Sequence, residues 1–142
     1  MTLPPSDMLC FALYSATHAM QSAYAPLLAE LGLTYPQYLV LSALWSSPGS
    51  QSMGTIGHIL QLESSTLTPL VKRLEAMGLV ARHRSERDER RVLVTLTDAG
   101  TAMRDRAAHV PGCIADRAGL SQSEIAALRD TVFALRDTLR RA

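Results

Sequence analysis

A mostly α-helical chain with a small β-wing is what the sequence predicts, and three observations predict it. Apolar residues recur every three or four positions along most of the length, the period of an amphipathic helix. One stretch, 79–96, changes to strand-like alternation around a charged turn. Asp, Ser or Thr precede several of the periodic segments and Gly follows them, as helix caps require. With 142 residues, 47% hydrophobic and 19% charged, the composition is that of one globular domain, 1–142, with a core of its own.

Asp7 is the expected N-cap of a first helix reaching about Leu31, ahead of Gly32. Leu9, Leu13, Ala16, Met20, Ala23 and Leu27 form one stripe along it, and Cys10, Tyr14, Thr17, Gln21 and Tyr24 form a second. Thr34-Tyr35-Pro36 opens a second helix running to about Ser47, with Pro36 tolerated in the first turn. After the Pro48-Gly49-Ser50 turn, Ser52 caps a short helix over about 53–60. Gln61-Leu62-Glu63 leads into another helix from Ser64 to Gly78, with Leu67, Leu70, Val71, Leu74 and Met77 on its apolar face. Pro69 lies deep in that helix and predicts a local kink. Two short helices joined by a tight turn, the second hydroxyl-rich at its start, are a helix-turn-helix pattern.

A hairpin follows, Leu79 to Arg84 and Arg91 to Leu96, joined by Ser85-Glu86-Arg87-Asp88-Glu89-Arg90. A helix-turn-helix followed at once by a basic-tipped hairpin predicts a winged helix over 35–97. Thr97 caps the next helix, expected to end near His109 and to be broken at Pro111-Gly112, leaving Cys113 in a segment able to move. Ser121, with Glu124 three residues on, opens the last helix as a capping box. Its Ile125, Leu128, Val132, Leu135 and Leu139 make a heptad seam. The winged helix leaves the segments 7–32 and 98–141 over, and their seams predict a homodimer able to read two half-sites.

Charge is unevenly placed. Residues 1–71 hold three acids and no Lys or Arg, a net of −3, whereas residues 72–142 hold all 14 basic residues against 10 acids, a net of +4. Seven of the basic residues fall between Lys72 and Arg91. Such a local cluster points to a confined polyanion contact, here double-stranded DNA of pseudo-palindromic sequence. Ser64, Ser65, Thr66 and Thr68 offer hydroxyls to bases or phosphates, Lys72 and Arg73 neutralise phosphate, and Arg87, Arg90 and Arg91 reach backbone or minor groove.

No apolar run approaches the length of a bilayer span, so no membrane partner is expected. The N-terminus lacks the basic start of a secretory signal. Two cysteines, Cys10 and Cys113, lie outside any zinc or CxxC spacing, so the expectation is a cytoplasmic protein with reduced thiols and no cofactor.

The runs Ser65-Thr66-Leu67-Thr68-Pro69-Leu70-Val71-Lys72-Arg73-Leu74-Glu75, Gly78-Leu79-Val80, Arg87-Asp88-Glu89-Arg90-Arg91-Val92 and Leu96-Thr97-x-x-Gly100 resemble the MarR family of winged-helix regulators. Leu9-Cys10-Phe11-Ala12-Leu13-Tyr14 and Leu33-Thr34-Tyr35-Pro36-Gln37-Tyr38 are similar to the organic hydroperoxide resistance regulators within it, in their two-cysteine branch. The resemblance implies a homodimeric repressor, not an enzyme, whose inducer is an organic hydroperoxide. It implies that Arg90 of the Asp88-x-Arg90 motif enters the minor groove and that Cys10 is the peroxide-reactive thiol. It implies further that Tyr14, Tyr24 and Tyr35 bond the Cys10 sulfur, some from the partner subunit, and that Cys113 resolves the oxidised Cys10 as an intersubunit disulfide. The chain departs from the family pattern at Glu63 and Ser65, commonly Asp and Gly, and at His18, commonly Arg.

Only a thiolate attacks peroxide quickly. With no Lys or Arg near Cys10 in sequence, two supports for the anion remain: the N-terminus of the first helix, where an Asp7 cap would put Cys10 at the third position, and tyrosine hydroxyls. Three rival readings stand beside this one. A reversible phenolic ligand could release DNA with both thiols inert. A thiol peroxidase would leave the basic wing unexplained. A metal sensor could use His109 and Cys113, four residues apart on one helix face, but the break expected at Pro111-Gly112 interrupts that face.

Overall fold

The structure, a computed structural model, describes residues 1–141. The chain folds as two compact units, one ending at Ala108 and one beginning at His109.

The first unit opens with a single 3-10 turn, Pro5–Asp7, followed by α1 (Leu9–Ala29). Asp7 is therefore not the cap of α1. Its N–H and that of Met8 bond back to the Pro4 and Pro5 carbonyls at 2.9 and 3.1 Å, which places Asp7 inside the turn and Met8, extended, at the N-cap without any side-chain bond. Cys10 becomes the second helical residue. The other end comes two residues earlier than the pattern predicts, and Gly32 adopts the left-handed φ of 71° that closes the turn. Only Leu28 of α1 is buried.

α2 (Tyr35–Trp45) starts on a full capping box. Gln37 N–H donates to Thr34 Oγ1 at 3.4 Å, and Thr34 N–H donates to Gln37 Oε1 at 3.0 Å. It carries Tyr38, Val40, Leu41, Ala43 and Leu44 into the core. Gln51–Ser52 forms β1, a strand the sequence pattern does not reveal, before Ser52 caps α3 (Met53–Leu60) by accepting from Thr55 N–H at 3.1 Å. α4 (Ser64–Ala76) runs through Pro69 without ending. Leu67, Val71 and Leu74 are at most 1% exposed, and side chains buried to that degree each contribute about 1.5–3 kcal/mol. Met77, expected on the same face, is 42% exposed because the helix stops at Ala76 and Gly78 turns the chain with φ 78°.

β2 (Val80–Arg84) and β3 (Val92–Leu96) pair antiparallel from Val80↔Leu96 to Arg84↔Val92, and β1 adds on the far side of β3. The sheet order β1-β3-β2 ties the start of the helix-turn-helix to the wing. α5 (Asp98–Arg106) is capped by Thr97, whose hydroxyl accepts from Gly100 N–H at 3.1 Å and donates to the Gly78 carbonyl at 2.6 Å. Gly100 is required: a Cβ there would collide with the Leu79 carbonyl. Its own carbonyl accepts from Trp45 Nε1 at 2.9 Å.

The second unit consists of α6 (Val110–Ala118) and α7 (Gln122–Arg141). The expected break is present but comes earlier, at residues 107–109, so that α5 stops at Arg106 short of His109 and Pro111-Gly112 lie inside α6. Pro111 occupies the first turn of α6, where its missing N–H costs no helical bond. Cys113 is accordingly helical, with its N–H donated to the His109 carbonyl at 3.1 Å, and it is half-buried. The capping box at Ser121 and Glu124 forms as expected, with reciprocal bonds of 3.0 and 3.2 Å, and the Ser121 N–H donated to the Glu124 carboxyl, with the Ser121 hydroxyl beside it, holds that carboxyl below its ordinary range.

Candidate nucleic-acid interface and sensor thiols

α4 presents its first turn outward. Ser64, Ser65 and Thr66 are exposed and Thr68 is half-buried, and their hydroxyls make no hydrogen bond among the described residues. Glu63 stands at the N-cap without capping, so free N–H groups and free hydroxyls meet at one helix end. Lys72 and Arg73 are exposed roughly two turns further along.

The wing is organised around two side chains. Ser85 Oγ accepts from Arg87 and Asp88 N–H at 3.2 and 3.4 Å. Asp88 Oδ1 accepts from Arg90 N–H at 3.1 Å and from Arg90 Nε at 3.3 Å, while its carbonyl accepts from Arg91 N–H at 2.9 Å. The Arg90 side chain nevertheless stays 93% exposed. Asp88 thus aims a cation without covering it. Arg87 and Arg91 are exposed beside it. Arg84 and Arg82 are committed elsewhere: Arg84 Nη1 donates to the Glu89 carbonyl at 2.7 Å, and Arg82 donates its N–H and Nε to Glu75 at 2.9 and 3.2 Å. The Arg82 N–H bond, with the guanidinium beside it, holds the Glu75 carboxyl below its ordinary range. This clamp joins the root of the wing to α4, and the sequence pattern, which read Arg82 only as part of a basic cluster, missed it.

Cys10 is exposed in the first turn of α1, beside exposed Leu9, Phe11 and Tyr14. Its sulfur has no hydrogen-bond partner among the described residues, and Tyr14 instead stacks on His18 with ring centroids 4.3 Å apart. Tyr24 lies fourteen residues along the same helix, about 21 Å at 1.5 Å per residue, so its hydroxyl cannot reach Cys10 of its own chain. The shared stripe is real but does not bring the two together. Tyr24 packs on Tyr35 and Tyr38 at 5.0 and 5.9 Å. Burial raises the titration of all three phenols above the ordinary range, so at neutral pH each is an O–H donor.

An open cleft of about 340 Å³ lies between the end of α2, β3 and α5, with Trp45, Leu96 and Arg104 in its wall. No group of three or more His, Cys, Asp or Glu able to hold a metal occurs among the described residues. No described helix is long and apolar enough to cross a membrane.

A helix-turn-helix braced to a wing with one exposed, aimed arginine defines a DNA-binding regulator. The profile of the SarA/Rot transcriptional regulators matches residues 22–106. The organic hydroperoxide resistance transcriptional regulator of Bacillus subtilis is 41% identical over 133 residues, 94% of this chain and 90% of that protein. The HTH-type regulator TtmR of Methylorubrum extorquens is 47% identical over 133 residues, 94% of this chain and 68% of that protein. Among solved structures, reduced AbfR bound to DNA is 35% identical with a TM-score of 0.80, covering 96% of this chain and 92% of its own; AbfR has been solved from Staphylococcus epidermidis. AbfR is known in two further states: overoxidised on DNA, TM-score 0.76 at 34% identity over 94% and 93%, and with a disulfide formed, TM-score 0.63 at 35% identity over 96% and 90%. This chain belongs to the SarA/Rot family of MarR-like winged-helix transcriptional regulators, and it is not an enzyme.

Proposed function

We propose that the chain is a homodimeric, peroxide-sensing repressor. The first turn of α4 enters the major groove with Ser64, Ser65, Thr66 and Thr68, while Lys72 and Arg73 take phosphate. Arg90, held by Asp88 and flanked by Arg87 and Arg91, enters the minor groove. Helices from the segments 7–32 and 98–141 pair two copies, so that two wings meet a pseudo-palindromic operator.

The observation that carries the sensing role is the exposure of Cys10 within an uncapped helix start, ringed by Leu9, Phe11 and Tyr14. The N–H groups of that first turn favour negative charge at the sulfur. The apolar ring suits an organic hydroperoxide. The thiolate attacks the terminal peroxide oxygen, the O–O bond breaks and the alcohol leaves, giving a sulfenic acid at Cys10. The Cys113 thiol of the other subunit then displaces water to form the disulfide. Tyr24 and Tyr35, out of reach of their own Cys10, donate their hydroxyls to the partner's site. Cys113 stands on a helix and not on a loose segment, so where the reduced sulfurs stand farther apart than a disulfide spans, bridging them moves helices and with them the spacing of the two DNA-reading heads. The relative named for organic hydroperoxide resistance supports this reading. So does AbfR, which has been solved bound to DNA in reduced and overoxidised forms and also with a disulfide formed.

Operator binding with and without cumene hydroperoxide tests the proposal on wild type, Cys10→Ser and Cys113→Ser. Wild type is expected to lose about 5- to 150-fold in affinity, the usual span of allosteric coupling. Cys10→Ser stays bound throughout. Cys113→Ser forms the sulfenic acid yet keeps its DNA. Release of Cys10→Ser as readily as wild type overturns the redox reading. It would favour the rival, a reversible ligand with inert thiols, for which the cleft walled by Trp45 and Arg104 offers a place.

A further inference from the structure

Pro69 has no part in the contacts assigned above, yet it occupies the centre of the outward face of α4. Leu67, Leu70, Val71 and Leu74 are buried and define the inward face. At 3.6 residues per turn, Ser65, Pro69, Lys72 and Ala76 fall opposite them, and all four are exposed. Proline is the residue least suited to a helix interior, since it lacks the N–H that would meet the carbonyl four residues back, here that of Ser65. α4 nonetheless continues through it to Ala76. Nothing in the core uses the pyrrolidine ring. A rigid apolar group, one turn beyond the hydroxyl-bearing helix start and one turn before Lys72, stands where a helix lying in the major groove meets base edges. The apolar feature presented there is the thymine C5-methyl group.

We propose that Pro69 is a specificity-determining residue that packs its ring on a thymine methyl in each operator half-site. This rests on the reading of α4 as the recognition helix. Ser65 and Lys72 on either side position the helix through hydroxyl and phosphate contacts, whereas Pro69 selects T over C at one base pair.

The test begins with an operator enriched by wild-type full-length protein from a random duplex pool. Each thymine is then replaced by deoxyuridine, which removes only the methyl, and affinities of wild type, Pro69→Ala and Pro69→Val are measured at one salt concentration. One thymine per half-site is expected to lose about fourfold in wild type on replacement, the worth of one buried methyl. Pro69→Ala binds the thymine duplex more weakly and is indifferent to uracil there, while Pro69→Val keeps the sensitivity. Alanine is the best helix former, so the variant retains α4, and circular dichroism checks it. An enriched operator on which every uracil replacement affects wild type and Pro69→Ala equally overturns the proposal alone. A pool from which wild type enriches no sequence overturns it together with the recognition-helix reading.

Discussion

The DNA-facing half of the first unit and its N-terminal helix are built on opposite terms. α4 and the wing rest on side chains that a single copy buries completely, among them Leu67, Val71, Leu74 and Val94, and the Arg82–Glu75 clamp locks them together. α1 is the longest helix described, 21 residues, and buries only Leu28, leaving Leu9, Phe11, Tyr14 and Met20 between 44 and 61% exposed. The difference teaches where one chain is sufficient. On the proposed function, a head that presents Arg90 and the α4 hydroxyls in register has to be rigid by itself. On the same proposal, α1 gains from being incomplete alone, because the groups that answer its thiol would come from a second copy.

That contrast can be broken most directly by paired truncations. Leu74→Ala empties a fully buried site and is expected to cost about 2–5 kcal/mol in denaturant unfolding at any protein concentration. Phe11→Ala, 45% exposed in one chain, is expected to leave dilute samples nearly unchanged and to weaken association in sedimentation equilibrium. Equal concentration dependence in the two variants would end the contrast. A smaller effect is expected from Arg90→Ala. Operator affinity should fall and the slope of log K against log salt should become shallower by about one unit per subunit, and an unchanged slope removes Arg90 from the contacts. The smallest concerns Glu75. Its folded carboxyl titrates below the ordinary 4.5, so the stability it contributes is present above that value and is lost as pH falls through the folded one. Glu75→Gln is therefore expected to lower stability modestly at neutral pH, where the carboxylate contributes, and to flatten the acid side of the profile, so that the two proteins converge as pH falls below about 4.5.

Local patterns carried much of the fold. Ser52, Thr97 and the Ser121–Glu124 pair start their helices as read, because a cap is decided by residues within one turn. The apolar period of α4 and the alternation of β3 likewise placed the core face and the wing. Failures arose where a distant group decided. Two residues of β1 show no periodicity, and only β3 makes them a strand. Asp7 lost its cap because the Pro4 and Pro5 carbonyls captured the turn before it. Pro111 read as a break and proved to be a first-turn residue, since periodicity cannot tell an interior proline from an initial one. The Cys10–Tyr24 stripe failed for a metric reason: a shared helix face says nothing about distance along the axis, about 21 Å over fourteen residues.

Residue spacing alone determined the helix-turn-helix and the basic tip, since both are local in the chain. Tertiary structure decided which of the clustered cations remain free. Arg82 and Arg84 are spent on Glu75 and on the Glu89 carbonyl, while Arg90, bonded to Asp88 through Nε alone, keeps the rest of its guanidinium exposed, because such bonds form between groups that folding brings close. It also decided that the phenols of Tyr24 and Tyr35 belong together and away from the thiol of their own chain.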